Sequence, residues 1–242
     1  SRPANYLRLA ELLLGRLREN ERAVKVLKEA RHRFPDMPEI TYYLGIALRE
    51  AKRPQEAVTI FEEALQEAEQ TSAEIVNARF YFDYGATAER AGFYDKAADL
   101  FKKSIAIDPA NAADAYNYLG FMWADHNMHL DEAEDMIHHA LKIDPQNGAY
   151  LDSLGWLEYR RGKYEQALED LLRAAQNLPK ADATVFEHIG DTCFKLNRAG
   201  QALSYWQKAM LLDPENKQLA EKIERAKTKM SKGAPQKINS LQ

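Results

Sequence analysis

Cysteine is almost absent from this 242-residue chain: Cys193 stands alone. One cysteine excludes an internal disulfide and any cysteine-based zinc cluster. Glycine and proline are scarce as well, with 11 and 9 residues. No stretch alternates apolar and polar residues between turn signals with β-branched enrichment, so strands are not expected. No run of about 18 apolar residues occurs, which leaves no candidate transmembrane helix and no direct membrane insertion by this segment. A basic excess is missing too. The formal net charge is −4, which argues against a general nucleic-acid binder. No signal peptide opens the sequence. Since the chain begins at Ser1 rather than methionine, that absence carries no information on compartment. A Gly-rich phosphate loop, a nucleophile elbow and a His-Glu-x-x-His pattern are also lacking.

What is present is a helical composition, 45% hydrophobic and 29% charged and rich in Ala, Leu, Glu, Lys and Arg. The reading is all-α. Within it a pattern recurs. A bulky residue precedes glycine at Leu44-Gly45, Tyr84-Gly85, Leu119-Gly120, Leu154-Gly155 and Ile189-Gly190, at intervals of 40, 35, 35 and 35. An alanine follows at Ala57, Ala97, Ala133, Ala167 and Ala202, and four residues later a bulky side chain at Phe61, Phe101, Ile137, Leu171 and Trp206. Small residues come next at Ala64, Ser104, Ala140, Ala174 and Ala209, and then Pro109, Pro145, Pro179 and Pro214 in four of the five. The N-terminus carries the second half of the pattern in Ala23, Leu27, Ala30 and Pro35, with Glu11 at the glycine position.

This pattern resembles the tetratricopeptide repeat, a helix–turn–helix unit with a period of about 34 residues. Six repeats are expected at residues 4–37, 38–71, 78–111, 113–147, 148–182 and 183–216, with a capping helix over 215–230 and a polar tail over 231–242. The implied fold is an all-α, right-handed α-solenoid of six helix pairs, A and B in each. Glycine inside helix A costs about 1 kcal/mol in propensity, offset if helix B approaches closely there. Thr71 and Glu74 read as a capping box that starts helix A of the third repeat early. Asp131 reads as the N-cap of helix B in the fourth, where the turn is one residue longer.

Chemistry is not indicated. His126, His129, His138 and His139 fall in one repeat, but their placement in a turn and on different helix faces favours exposed histidines over a metal site. Cys193 reads as a packed thiol. Neither an enzyme nor a cofactor nor a metal is expected.

The resemblance implies a concave face lined by A helices that binds a peptide or partner segment. Read on that face, the candidate residues are Tyr42, Arg79, Phe82, Asn117, Phe121, Asp152, Trp156, Tyr159, Glu187, Asp191 and Phe194. Aromatic side chains are typical interface anchors. Over repeats 3–6 the stripe also holds seven acids, Asp83, Glu89, Asp114, Asp125, Asp152, Glu187 and Asp191, against Arg79, Arg90, Arg160 and Lys195. A basic and apolar partner segment is the expectation, and replacing Trp156 by Ala together with Asp152 by Lys is expected to abolish its capture without unfolding the chain. Some family members grip a chaperone's C-terminal carboxylate with Lys/Arg and Asn in three consecutive repeats. Asn117 suits that role, but Asp152 and Glu187 follow, so it is not expected here.

The function implied is a scaffold or adaptor, with a repeat region of a larger enzyme or regulator as the alternative. The phrases "AYNYLGFMWAD" and "YLDSLGW" resemble large bacterial repeat proteins, some of them exported or lipid-anchored. Lys232, Lys237, Ile238 and Leu241 in the tail are expected to dock on this face or on that of a second copy, as a route to self-association.

Overall fold

The computed structural model describes residues 2–71 and 73–233. The expected docking of Ile238 and Leu241 lies outside the described residues. Among those described there are thirteen α-helices and no strand. The chain divides into two compact units, Ser1–Leu119 and Gly120–Gln242.

The first unit runs α1 (Pro3–Leu12), a π-helical turn (Leu13–Leu17), α2 (Asn20–Arg33), α3 (Pro38–Glu50), α4 (Pro54–Thr71), a 3-10 turn (Ala73–Ile75), α5 (Ala78–Arg90), α6 (Tyr94–Ile107) and the start of α7 (Ala113–Asp125). The second holds the end of α7, then α8 (Leu130–Ile143), α9 (Gly148–Arg160), α10 (Tyr164–Asn177), α11 (Ala183–Lys195), α12 (Ala199–Leu212) and α13 (Lys217–Gly233). Sequential helices pack on each other from α1 to α6 and from α8 to α13, and alternate ones touch as well: α1 and α5 each touch α3, and α9 touches α11.

Local chemistry sets the helix ends. Pro38 and Pro54 open α3 and α4, where the missing N–H is an orphan in any case. Asn77, Asn147 and Asp182 cap α5, α9 and α11 through backbone N–H groups two or three residues on. Helices α6, α8 and α12 stop one residue before an Asp-Pro pair, as the residue preceding proline is driven out of αR.

Every A–B pair that carries the recurring glycine closes over it. A methyl group at Gly45 would stand 2.8 Å from Phe61 Cδ2, and one at Gly155 would stand 2.7 Å from Leu171 Cγ. The bulky partners Phe61, Phe101, Ile137 and Leu171 are fully buried, each contributing about 1.5–3 kcal/mol from burial. The core of the first unit continues through Leu13, Leu27, Ile40 and Leu48, and that of the second through Ile189, Trp206 and Leu219. Cys193 is buried there, and burial pushes its thiol pKa up.

A second regularity sits seven residues after each glycine. Lys52, Gly92, Asn127, Gly162 and Asn197 all have positive φ, between 55° and 82°, and turn helix A into helix B. Arg18 (φ 55°) follows Glu11 by the same seven residues, so the first pair keeps the register without its glycine. Lysine is disfavoured in this conformation. Lys52→Gly is therefore expected to stabilise the chain by about 0.5–1 kcal/mol, net of glycine's greater unfolded-state entropy, read as a higher melting temperature.

Two expected helix starts are corrected. Thr71 does not open a capping box. Its hydroxyl donates to the Glu67 carbonyl at the end of α4, so helix B of the second pair is the long one and Asn77 starts the next helix. Asp131 is not an N-cap. His129 holds that position at φ 42°, its ring 5.2 Å from Trp123, and this second left-handed residue absorbs the longer turn. The Asp131 carboxylate instead accepts from Arg161 at 2.6 Å.

Candidate partner-binding face

In the first unit, Tyr42 and Arg79 converge on one buried acid. The Tyr42 hydroxyl donates to Asp83 Oδ2 at 2.7 Å, Arg79 Nε donates to the same oxygen at 2.7 Å, and Arg49 Nη1 reaches Oδ1 at 3.3 Å. Burial and the Asp83 carboxylate together push the Tyr42 phenol well above its ordinary range. This cluster ties α3 to α5. Phe82 is half-buried, edge-on to exposed Tyr118 at 5.1 Å, with the Arg79 guanidinium 5.3 Å above its ring.

In the second unit the stripe forms a continuous stack. Trp156 lies face to face with His188 at 4.0 Å and with Tyr159 at 4.7 Å, and its Nε1 donates to Asp125 at 3.0 Å. His188 Nδ1 meets Asp152 Oδ1 at 3.0 Å. Burial disfavours the imidazolium, yet the Asp152 charge outweighs it and holds His188 above the usual imidazole range. Phe121 sits at the edge of this group, 6.4 Å from the His188 ring. Burial and the Asp191 charge push Tyr159 up to about 12.

Asp152 and Trp156 are only 7% and 8% exposed. The expectation that they can be replaced without harm to the fold is therefore corrected, because both belong to the α9–α11 contact. Further along, the Lys222 ammonium on α13 bridges Glu187 Oε1 and Asp191 Oδ2, both at 2.6 Å, and Trp206 Nε1 donates to Asp191 Oδ1 at 2.9 Å. Phe194 is half-buried, 5.4 Å from Trp206 and 4.7 Å below Lys229.

The acids of the stripe are thus engaged inside the protein. Asp83, Asp125, Asp152, Glu187 and Asp191 each accept from a neighbouring helix, and Glu89 and Asp114 also have interactions. Asn117 is buried, and its Oδ1 has no hydrogen-bond partner among the described residues. Among the candidate aromatic rings, Phe82, Phe121, Tyr159 and Phe194 are half-open on A helices, as is Tyr42, whose hydroxyl is held by Asp83. Tyr159, Asp191 and Phe194 line a cleft of about 450 Å³ with Trp206, Lys222 and Arg225. Among the described residues no cluster of three His, Cys, Asp or Glu side chains could hold a metal, and no helix is long and apolar enough to cross a membrane.

A tetratricopeptide repeat family model matches residues 7–72 and 127–184, just over half of the chain. The chain belongs to the tetratricopeptide repeat family. A TPR repeat-containing protein of Pseudomonas aeruginosa is 31% identical over 185 residues, covering 76% of this chain and 30% of that protein. The type IV pilus assembly protein PilF of the same species is 28% identical over 134 residues, covering 55% of this chain and 52% of that protein. The crystal structure of PilW, a type IV pilus biogenesis factor, superposes with a TM-score of 0.73 over 90% of this chain and 97% of its own, at 17% identity. The chain therefore spans less than a third of the first relative and about half of the second. With that likeness the fold is an all-α tetratricopeptide solenoid.

Sequence reasoning missed two contributors to this tetratricopeptide face, Lys222 and Arg225, both supplied by α13. It places His188 on the stripe of the sixth repeat but does not foresee its contact with Asp152. The signal was available. Lys222 lies 35 residues beyond Glu187 and Arg225 lies 35 beyond Gly190, so α13 continues the A-helix register for one more period.

One half-buried carboxyl lies off the stripe. Glu158 Oε2 has no hydrogen-bond partner among the described residues, and burial, reinforced by Asp170, pushes the group up to about 7. The folded chain thus holds a proton that the unfolded chain releases near pH 4.5. The stability contribution is complete below that pH and is lost as pH rises through about 7. At about pH 8, Glu158→Gln is expected to stabilise the chain by roughly 1–2 kcal/mol, after discounting for its half-exposed position. Melting curves at about pH 5 and pH 8 check this, with the two proteins expected to diverge only at the higher pH.

Proposed function

We propose that this chain is a non-catalytic scaffold that holds an extended or helical segment of a partner protein against its A helices. One observation carries the reading. Phe121, Tyr159 and Phe194 are half-open aromatics on three successive A helices of the second unit, while the acids between them are tied up in contacts that join α7 to α9, α9 to α11 and α11 to α13. The framework is therefore set before any partner arrives, which lowers the ordering cost of binding. The apolar half of the expected partner chemistry draws support from those rings. The basic half draws less, because the carboxylates that motivated it already have donors within the protein. The names of the relatives point to a role in assembling a multi-protein machine such as a pilus. The second reading, a repeat region within a larger enzyme or regulator, draws support from the 30% share of the first relative that the chain spans.

A photo-crosslinking amino acid placed at Phe121, Tyr159 or Phe194 tests the proposal, compared with Gln166 and Glu169 on the exposed face of α10. In extract from the native source, the A-helix positions are expected to yield a discrete adduct and the α10 positions none. Adducts from α10 alone would overturn the reading.

A further inference from the structure

The cleft at α13 has a charge balance opposite to that of the stripe as a whole. Its lining holds Lys195, Lys222 and Arg225 against the single carboxylate of Asp191, which already accepts from Lys222 and Trp206. Glu187 lies outside the lining and shares Lys222. Lys195 and Arg225 are exposed, and neither forms an ion pair among the described residues. An adjoining cleft of about 470 Å³ shares Phe194 and Arg225 and adds Thr228 and Lys229. Its Glu224 is held by Lys227. Both clefts fall within the size range of ordinary ligand pockets.

Arg225 has a structural reason to be there. It occupies the glycine place of the A-helix register, 35 residues past Gly190. At Gly190 a side chain is forbidden, because Trp206 of helix B fills the space. Arg225 itself is exposed, so here the register's tightest position carries a long cation. The cleft then combines an apolar floor, made by Trp206, Phe194 and Tyr159, with two uncommitted positive charges at its lip.

We infer that this cleft binds an acidic–aromatic segment of a partner protein, one in which Asp or Glu flanks a Phe, Trp or Leu side chain. The apolar group lies on the Phe194–Trp206 floor, and the flanking carboxylates meet Lys195 and Arg225. This inference rests on the scaffold reading above and gives it a partner chemistry. The charge also disfavours the chain's own lysine-bearing C-terminal segment, from this or a second copy, as the occupant.

The test pans a phage-displayed library of random 12-residue peptides on the whole chain and on the Lys195→Glu/Arg225→Glu variant. Both side chains are exposed, so the melting curve of the variant should match that of the parent. Lys195→Gln/Arg225→Gln serves as the milder companion. Enriched peptides should pair Asp or Glu with an aromatic or leucine, crosslink to the probe at Phe194, weaken with salt, and lose about tenfold in affinity on charge reversal. Peptides that crosslink at Phe194 but are basic or uncharged would overturn this inference and leave the scaffold reading standing. A library that yields no peptide crosslinking at any A-helix position would overturn both.

Discussion

Gly190→Ala is expected to cost the second unit about 3 kcal/mol, the upper end of what overpacking a core usually costs. The added methyl would sit 2.5 Å from Trp206 Nε1. Trp206 is 2% exposed and its Nε1 is committed to Asp191, so moving the ring breaks a hydrogen bond. Gly155→Leu should be of similar or greater size, since its Cβ would stand 2.7 Å from Leu171 Cγ and 3.1 Å from the Ala167 carbonyl oxygen. Gly162→Ala is the instructive contrast. Nothing lies within 4 Å of that site, but φ is +78°, so only about 1–2 kcal/mol of backbone strain is expected. Urea melts should show Gly155→Leu at least as destabilised as Gly190→Ala, and both more so than Gly162→Ala. A Gly190→Ala protein as stable as the parent would mean that close helix approach is not why the glycine recurs.

Asp152→Ala should destabilise the chain by about 3–5 kcal/mol, as removing one partner of a buried pair strands the other. His188 is only 7% exposed and is stacked on Trp156, so no water replaces the lost carboxylate without disrupting the stack. The pH dependence provides a second signature. Because the folded imidazole is held above its ordinary value of 6.5, its contribution is complete below that pH and falls away as pH rises through the folded value. Asp152→Asn keeps the shape and removes the charge. It should abolish the part of the pH-dependent decline that begins above about pH 6.5, and leave the part from Glu158 that begins near 4.5. Melting curves of the parent, Asp152→Asn and Glu158→Gln across that range separate the two groups.

These residues also show how much could be read without coordinates. The glycine at Gly155 and the bulky residue at Leu171 announce their contact, because steric exclusion constrains residue size at a fixed spacing and spacing is visible in a sequence. The left-handed turns were legible only where glycine marks them, at Gly92 and Gly162. At Lys52 and Asn127 the same backbone is imposed by the helices on either side. Thr71 misled because a capping-box pattern is satisfied equally by a hydroxyl that bonds backward into the preceding helix. The stripe was the hardest to read. Asp152, Phe121 and Trp156 share a helix face with solvent-facing positions, and the sequence does not state which of them meets a counter-ion from the next A helix. Asp152 reads as a ligand contact in the sequence, because its partner, His188, stands 36 residues away.

On the scaffold reading, this stripe divides into residues that join helices and residues that face a partner. Two variants measured side by side test it: Asp152→Asn and Phe194→Ala, each assayed for melting temperature and for capture of the partner crosslinked at Tyr159. Asp152→Asn is predicted to lower the melting temperature clearly at about pH 6 and, while folded, to retain capture. Phe194→Ala is predicted to lose capture at least about tenfold while melting far closer to the parent, as its ring is only half-buried. The reverse pattern, with Phe194→Ala unfolding the second unit and Asp152→Asn losing only the partner, would contradict that division.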